Sequence, residues 1–301
     1  MHRRDILITA AATGVALAAS DVRAAPAARR RIRPPFVEAR DGTTLFVREW
    51  GEGPPVLFVH SWALSSEMWA YQTTALADAG FRCIAFDRRG HGRSDVPPAG
   101  YDLDTLADDL RSVIEALDLR DVALVGHSIG CAEILRSLGR GAGGRVSKIA
   151  LLAPAAPYLV KTEDNAFGAP MSYFQARMAE WSRDFPQWIE TNKEPFFTAE
   201  TSAPMKVWLV NQMLATPAPV AIATFRGVLT HDLRPDLAKV RVPTLILHGT
   251  EDASAPLEIT GRRVAAGIAQ AELKVYQGAP HGLFVAHMTQ VNADLLAFLE
   301  S

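Results

Sequence analysis

Cysteine is scarce: the 301-residue chain has two, Cys83 and Cys131. That excludes a disulfide-stapled scaffold and a cysteine-rich metal site. No uncharged apolar run reaches the roughly 20 residues of a membrane-spanning helix, although the N-terminus comes near. There is no basic excess: 31 Lys and Arg stand against 33 Asp and Glu, a net charge of −2. Wrapping nucleic acid needs a clear positive surplus, so that class of partner is not expected. Internal repeats are also missing. What is present is globular in kind, with 49% hydrophobic and 21% charged residues. Such a chain is too apolar for wholesale disorder and long enough for one large α/β domain or two smaller ones.

Residues 1–24 have the pattern of an export signal. Arg3-Arg4 is followed by Ile6-Leu7 and an alanine-rich apolar stretch, with Val22-Arg23-Ala24 as the cleavage site. The paired arginines resemble a twin-arginine signal, which implies a periplasmic or secreted protein, or a cytoplasmic one if the signal does not function. The stretch is too weakly hydrophobic for stable membrane insertion of the mature chain. Cleavage would remove three arginines and two aspartates and leave a net charge of −3. Residues 25–35, rich in Ala, Arg and Pro, read as a flexible lead-in.

From Phe36 onward, short apolar runs alternate with helical patterns. Phe36–Glu38 and Leu45–Glu49 flank Asp41-Gly42, a hairpin signal. Val56–Val59 is apolar throughout, as for a strand covered on both faces. Similar runs occur at Cys83–Phe86, Val122–Val125, Lys148–Leu152, Thr244–Leu247 and Leu273–Tyr276. Helical patterns span Leu103–Leu117, Ile129–Leu138 and Val291–Leu299. This rhythm predicts an α/β fold: a mostly parallel, eight-stranded sheet flanked by helices, with the hairpin at one edge. Residues 157–230 break the rhythm. They are helical, aromatic-rich and interrupted at Pro186, Pro195 and Pro204, and they read as an inserted helical cap on a domain of residues 36–301.

Gly126-His127-Ser128-Ile129-Gly130 fits G-x-S-x-G. The motif is weak alone and gains force from its setting between the strand at Val122–Val125 and a helix. There a strained turn exposes the Ser128 hydroxyl, and the Ile129 amide at the helix N-terminus can donate to a developing oxyanion. A serine hydroxyl needs a base. His281 follows the strand at Leu273–Tyr276, and Asp252 follows the strand at Thr244–Leu247. The order Ser128, Asp252, His281 is the nucleophile–acid–base order of this architecture. Glu251 and Asp232 are competing acids: Glu251 should point elsewhere, and Asp232 should cap a helix. His60, His91, His127, His248 and His287 read as structural. The second oxyanion donor is expected on the loop His60-Ser61-Trp62-Ala63, at the Trp62 amide. Ser61, Trp181, Trp188, Trp208 and Leu283 are the pocket candidates.

These features together resemble the α/β-hydrolase superfamily. The markers are Phe58-Val59-His60-Ser61-Trp62, Asp87-Arg88-Arg89-Gly90-His91-Gly92-Arg93-Ser94, Gly126–Gly130, His248–Asp252 and Pro280-His281-Gly282. A finer likeness is to the cofactor-free haloperoxidase, perhydrolase and arylesterase branch, through the Asp87–Ser94 run, Tyr101-Asp102 with Ala107–Leu110, and Lys161–Asn165. The resemblance implies cleavage of small esters or lactones by a Ser-Asp-His triad, without metal or cofactor, and in some members perhydrolysis. Three departures stand out. Ser61 replaces the usual glycine of the oxyanion loop. Ala63 replaces the proline that favours peroxide chemistry in haloperoxidases. Cys131 stands where glycine is common, and its helix lies too far from Cys83 in the usual order for a disulfide.

The leading expectation is a serine hydrolase of small carboxylic esters or lactones that forms an acyl-enzyme. Alternatives on the same residues are a cofactor-free perhydrolase or haloperoxidase, or a hydrolase of carbon–carbon bonds beside a carbonyl. An alternative of another class is a catalytically slow ligand-binding protein. The partner is a small ester or lactone in the first case.

Overall fold

In a parallel strand covered on both faces, successive side chains enter opposite layers, so every position is apolar. β3 (Pro55–Val59) behaves in this way: Val56 and Phe58 join one core layer, and Leu57 and Val59 join the other. The computed structural model describes residues 35–301. The export-signal reading of residues 1–24, and the lead-in up to residue 34, lie outside the described residues.

The sheet has eight strands in the order β1-β2-β4-β3-β5-β6-β7-β8. β1 (Phe36–Glu38) and β2 (Thr44–Trp50) form the antiparallel edge hairpin, with Val37 opposite Leu45. β2 is also antiparallel to β4 (Arg82–Phe86). The remaining pairs are parallel and run through β3, β5 (Val122–His127), β6 (Val146–Leu152), β7 (Thr244–Gly249) and β8 (Ala271–Tyr276). The eight expected runs are therefore all strands. The order reverses at β3: β4 pairs on one side and β5 on the other. Loops leaving the carboxyl ends of β3 and β5 part at such a switch point and leave a crevice.

α2 (Leu103–Ala116) begins at Asp102, whose carboxylate accepts the Thr105 N–H at 3.0 Å. Its Leu103, Leu106, Leu110 and Val113 stripe is fully buried. It shares one face of the sheet with α3 (Ile129–Gly139) and α8 (Gly261–Gly267). α1 (Ala70–Asp78) and α9 (Met288–Glu300) cover the other face. α1 left little trace in the hydropathy pattern because its buried side includes the polar Gln72 and Thr73. The Gln72 amide donates to the Phe284 carbonyl at 2.8 Å and to Asn292 at 3.1 Å.

Between β6 and β7 lie α4 (Met171–Asn192), α5 (Ala203–Ala215), α6 (Ala218–Leu229) and the short α7 (Arg234–Leu237). The three prolines mark the interruptions. Pro186 follows a kink at Asp184, which leaves helical geometry (φ −156°, ψ 84°) and caps the second half by accepting the Gln187 N–H at 2.9 Å. Pro195 lies in a 3-10 turn at Glu194–Phe196, and Pro204 opens α5. A proline in a first helical turn costs nothing, since that N–H has no intrahelical acceptor.

Candidate active site

β5 delivers Ser128 into a turn of unusual geometry. The serine holds φ 55° and ψ −117°, in the left-handed region that side chains disfavour. Backbone bonds enforce it: the Ser128 N–H donates to the Leu152 carbonyl at 3.0 Å, and the Ser128 carbonyl accepts from Cys131 at 3.1 Å and Ala155 at 3.1 Å. Gly130 is needed for contact with the neighbouring strand, because a Cβ there would meet the Val59 carbonyl at 2.5 Å. Ile129 opens α3, where the first N–H groups have no acceptor within the helix.

His281 and Asp252 arrive from the loops after β8 and β7, adjacent parallel strands. His281 Nδ1 donates to Asp252 Oδ2 at 2.7 Å. The other carboxylate oxygen accepts the N–H groups of Ser254 at 2.9 Å and Ala255 at 2.7 Å. Burial alone would raise the Asp252 pKa, but the charge of His281 and the hydrogen bonds from His248 and His281 outweigh it. The carboxyl is held well below the usual range. Glu251 is exposed, and Asp232 binds the Arg234 guanidinium and its N–H.

Two histidines read as structural make specific contacts. His248 Nε2 lies 3.2 Å from Asp252 Oδ2 and 2.8 Å from the Ala255 carbonyl. It supports the acid from behind. His127 Nε2 donates to the His281 carbonyl at 2.8 Å, with the two rings 4.7 Å apart. Burial, reinforced by His281, lowers the His127 pKa to about 3, so the ring is neutral and serves as a fixed donor.

The loop after β3 is clamped from beneath. The Arg88 N–H donates to His60 Nε2 at 2.9 Å, so the His60 proton sits on Nδ1 and is given to the Ser61 carbonyl at 2.8 Å. The Arg88 guanidinium adds bonds to the same carbonyl at 3.2 Å and to the His60 carbonyl at 2.7 Å. Arg88 is itself held by Glu133 on α3, with Nε to Oε1 at 2.6 Å, and both side chains are buried. The Ser61–Trp62 peptide is trans, so its N–H points opposite to the clamped carbonyl. Sequence reasoning placed Trp62 but missed Arg88 and Glu133. The signal available was the dense charge of the Asp87–Ser94 run.

Ser128, His281, Trp62 and Ile129 line one cavity of about 390 Å³, walled mainly by the cap. Ser128 and His281 share it without a direct hydrogen bond, an arrangement common in unliganded sites, where such contacts tighten on substrate binding. Of the pocket candidates, Ser61, Trp181 and Trp188 line the cavity. Trp208 and Leu283 do not. α5 turns Leu209 and Met213 inward, which leaves Trp208 packed edge-on against Tyr71 at 5.7 Å. Leu283 is fully buried in the core beneath the site. Phe196 stands at the wall where Leu283 was expected: its ring lies 5.7 Å from His281, and its carbonyl accepts the Gly282 N–H at 3.1 Å. The cap also brings Tyr173, Phe174, Arg177, Ile189, Asn192 and Phe225 to the wall. Their helical spacing was visible in the sequence, but the rotation of α4 was not.

Cys83 and Cys131 are buried free thiols. Among the described residues, no group of three or more His, Cys, Asp or Glu is arranged to hold a metal ion, and no helix is long and apolar enough to cross a membrane.

Residues 54–287 match the family model of the alpha/beta hydrolase fold. A non-heme chloroperoxidase of Kitasatospora aureofaciens is 39% identical over 273 residues, covering 88% of this chain and 99% of the relative. A bifunctional esterase/perhydrolase of Acinetobacter calcoaceticus is 34% identical over 278 residues, with 88% and 99% coverage. Among solved structures, an esterase from Exiguobacterium antarcticum superposes with a TM-score of 0.86 at 32% identity, covering 89% of this chain and all of that one (100%). On this fold, site and likeness, the chain belongs to the α/β-hydrolase family, in its non-heme haloperoxidase branch.

Proposed function

We propose that this protein is a serine hydrolase of small carboxylic esters or lactones that works through an acyl-enzyme. The observation that carries the reading is the Asp252–His281 pair at 2.7 Å, sharing one cavity with Ser128 on its strained turn. Ser128 Oγ attacks the carbonyl carbon as His281 Nε2 takes its proton. The amides of Trp62 and Ile129 receive the oxyanion, and Arg88 behind the Ser61 carbonyl fixes the direction of the Trp62 N–H. His281 returns the proton to the leaving alcohol, then activates water to release the acid. Asp252 stays ionised and holds the imidazole in the required tautomer.

Ser128→Ala is expected to abolish p-nitrophenyl ester turnover, at least about 10³-fold in kcat, while circular dichroism and Tm stay unchanged. Unaltered turnover by that variant would overturn the assignment.

A second reading, perhydrolysis, is favoured by the names of the relatives. The backbone opposes it. Ala63 sits at φ 54°, which a proline ring, confined near −65°, cannot reach. The loop therefore does not have the conformation that a proline after the tryptophan would impose. Adding peroxide and bromide to the same assay separates the readings: Ser128-dependent halogenation exceeding ester cleavage would replace the first by the second.

A further inference from the structure

The cavity has a charge asymmetry that cleavage of a neutral ester does not require. Among the described residues its wall carries Arg177 and Lys193 but no aspartate or glutamate. Lys193 is engaged by Glu190 at 2.5 Å. Arg177 differs. Among the described residues no carboxylate lies within ion-pair distance of it. Its Nε donates to the Tyr173 hydroxyl at 2.9 Å, and its guanidinium lies 5.0 Å from the Tyr173 ring and 5.6 Å from the Trp188 ring. These contacts hold the fork against the aromatic rings, and among the described residues neither terminal nitrogen has an acceptor. A planar, prepositioned fork of this kind matches a carboxylate in bidentate fashion.

The position of the fork relative to the chemistry is also defined. Trp188 packs edge-on to Trp181 at 5.1 Å and to Trp62 at 6.0 Å. An aromatic wall thus runs from the loop beside Ser128 to the guanidinium. We propose that Arg177 is a specificity determinant for substrates whose acyl group ends in a carboxylate, an apolar chain lying along the tryptophans and the scissile ester or lactone at Ser128. The proposal rests on the hydrolase reading above.

The test compares monomethyl suberate, which is ionised at one end at neutral pH, with dimethyl suberate, using the full chain. The expected result is a kcat/KM at least tenfold higher for the monoanion, shrinking as salt is raised. Arg177→Gln is expected to lower that ratio about tenfold, chiefly through KM, and Arg177→Lys to restore part of it. Suberate is expected to inhibit p-nitrophenyl acetate turnover competitively, about tenfold more weakly in Arg177→Gln. Equal or lower kcat/KM for the monoanion, or a preference and inhibition unchanged in Arg177→Gln, would overturn the proposal while leaving the hydrolase reading intact. Failure of the hydrolase reading looks different: no p-nitrophenyl acetate turnover and no fluorophosphonate labelling of Ser128, which removes the proposal with it.

Discussion

Arg88 and Glu133 are buried together behind the loop that carries Trp62. Burial pushes the Glu133 carboxyl up to about 7 in spite of Arg88. Its Oε2 has no hydrogen-bond partner among the described residues. Such a pair contributes little net stability, because desolvation offsets attraction, yet losing one member leaves the other charge stranded. Arg88→Met is therefore expected to destabilise the protein by about 3–5 kcal/mol in urea unfolding. Removing both charges, in Arg88→Met with Glu133→Leu, is expected to recover most of that loss. The double variant still lacks the donor to the Ser61 carbonyl, so its kcat is expected to stay about tenfold or more below wild type with KM little changed, as for an interaction made in the transition state. Full recovery of kcat together with stability would show that Arg88 has no part in orienting the Trp62 amide.

At the scale of elements, the site depends on how closely α3 approaches β3. Gly130 is the contact point, and at Gly126, near the end of β5, a Cβ would come to 2.7 Å from the Ile134 side chain. Gly130→Ala would force its new methyl group against the Val59 carbonyl, which belongs to backbone and cannot swing aside. Overpacking of this kind costs about 1–3 kcal/mol, so Tm is expected to fall by roughly 2–10 °C. The displaced helix start also carries the Ile129 amide, so kcat is expected to fall more than ester binding does. Wild-type Tm and kcat in Gly130→Ala would mean that α3 slides freely on the sheet. The kink in α4 is a second element-level device. Asp184 breaks the helix and caps the next segment, so that Trp181 and Trp188 on either side of the break meet in one wall.

For the whole molecule, two kinds of shifted carboxyl set opposite limits in pH. Asp252 and Asp41 titrate below the usual 3.8, Asp41 because of its bond to Arg89. A depressed pKa gives stability that is present above the unfolded value and is lost as pH falls through the folded one. Glu133 is the reverse: its stabilising contribution is complete below the unfolded value of 4.5 and is lost as pH rises through about 7. Tm is thus expected to be highest near pH 4.5, to fall as pH drops below about 3.8, and to fall as pH rises from 4.5 through about 7 before levelling off. Glu133→Gln should flatten the alkaline decline and leave the acid limb in place. A wild-type Tm that does not decline between pH 6 and 8, or an unchanged decline in Glu133→Gln, would contradict this assignment.

Much of this was legible in the residues. Runs such as Val122–Val125 are apolar at every position because both faces of the sheet are covered, and a window of a few residues is enough to see that. Ser128, Asp252 and His281 could be singled out as candidates because each follows a strand, and parallel strands place their carboxyl ends along one edge. The hidden parts depend on contacts distant in sequence. Arg88 and Glu133 are 45 residues apart, and neither shows in sequence that it is buried. Trp181, Trp188 and Trp208 are alike in sequence, but the rotation of α4 and α5 sends two to the cavity and one to Tyr71. The sequence alone determined the order of the strands and of the strongly amphipathic helices and the candidate residues at the strand ends, since these follow from local periodicity and turn chemistry. Only the tertiary structure decided which side chains share a wall and which charges are buried, because those depend on helix rotation and on the dielectric surroundings that packing creates.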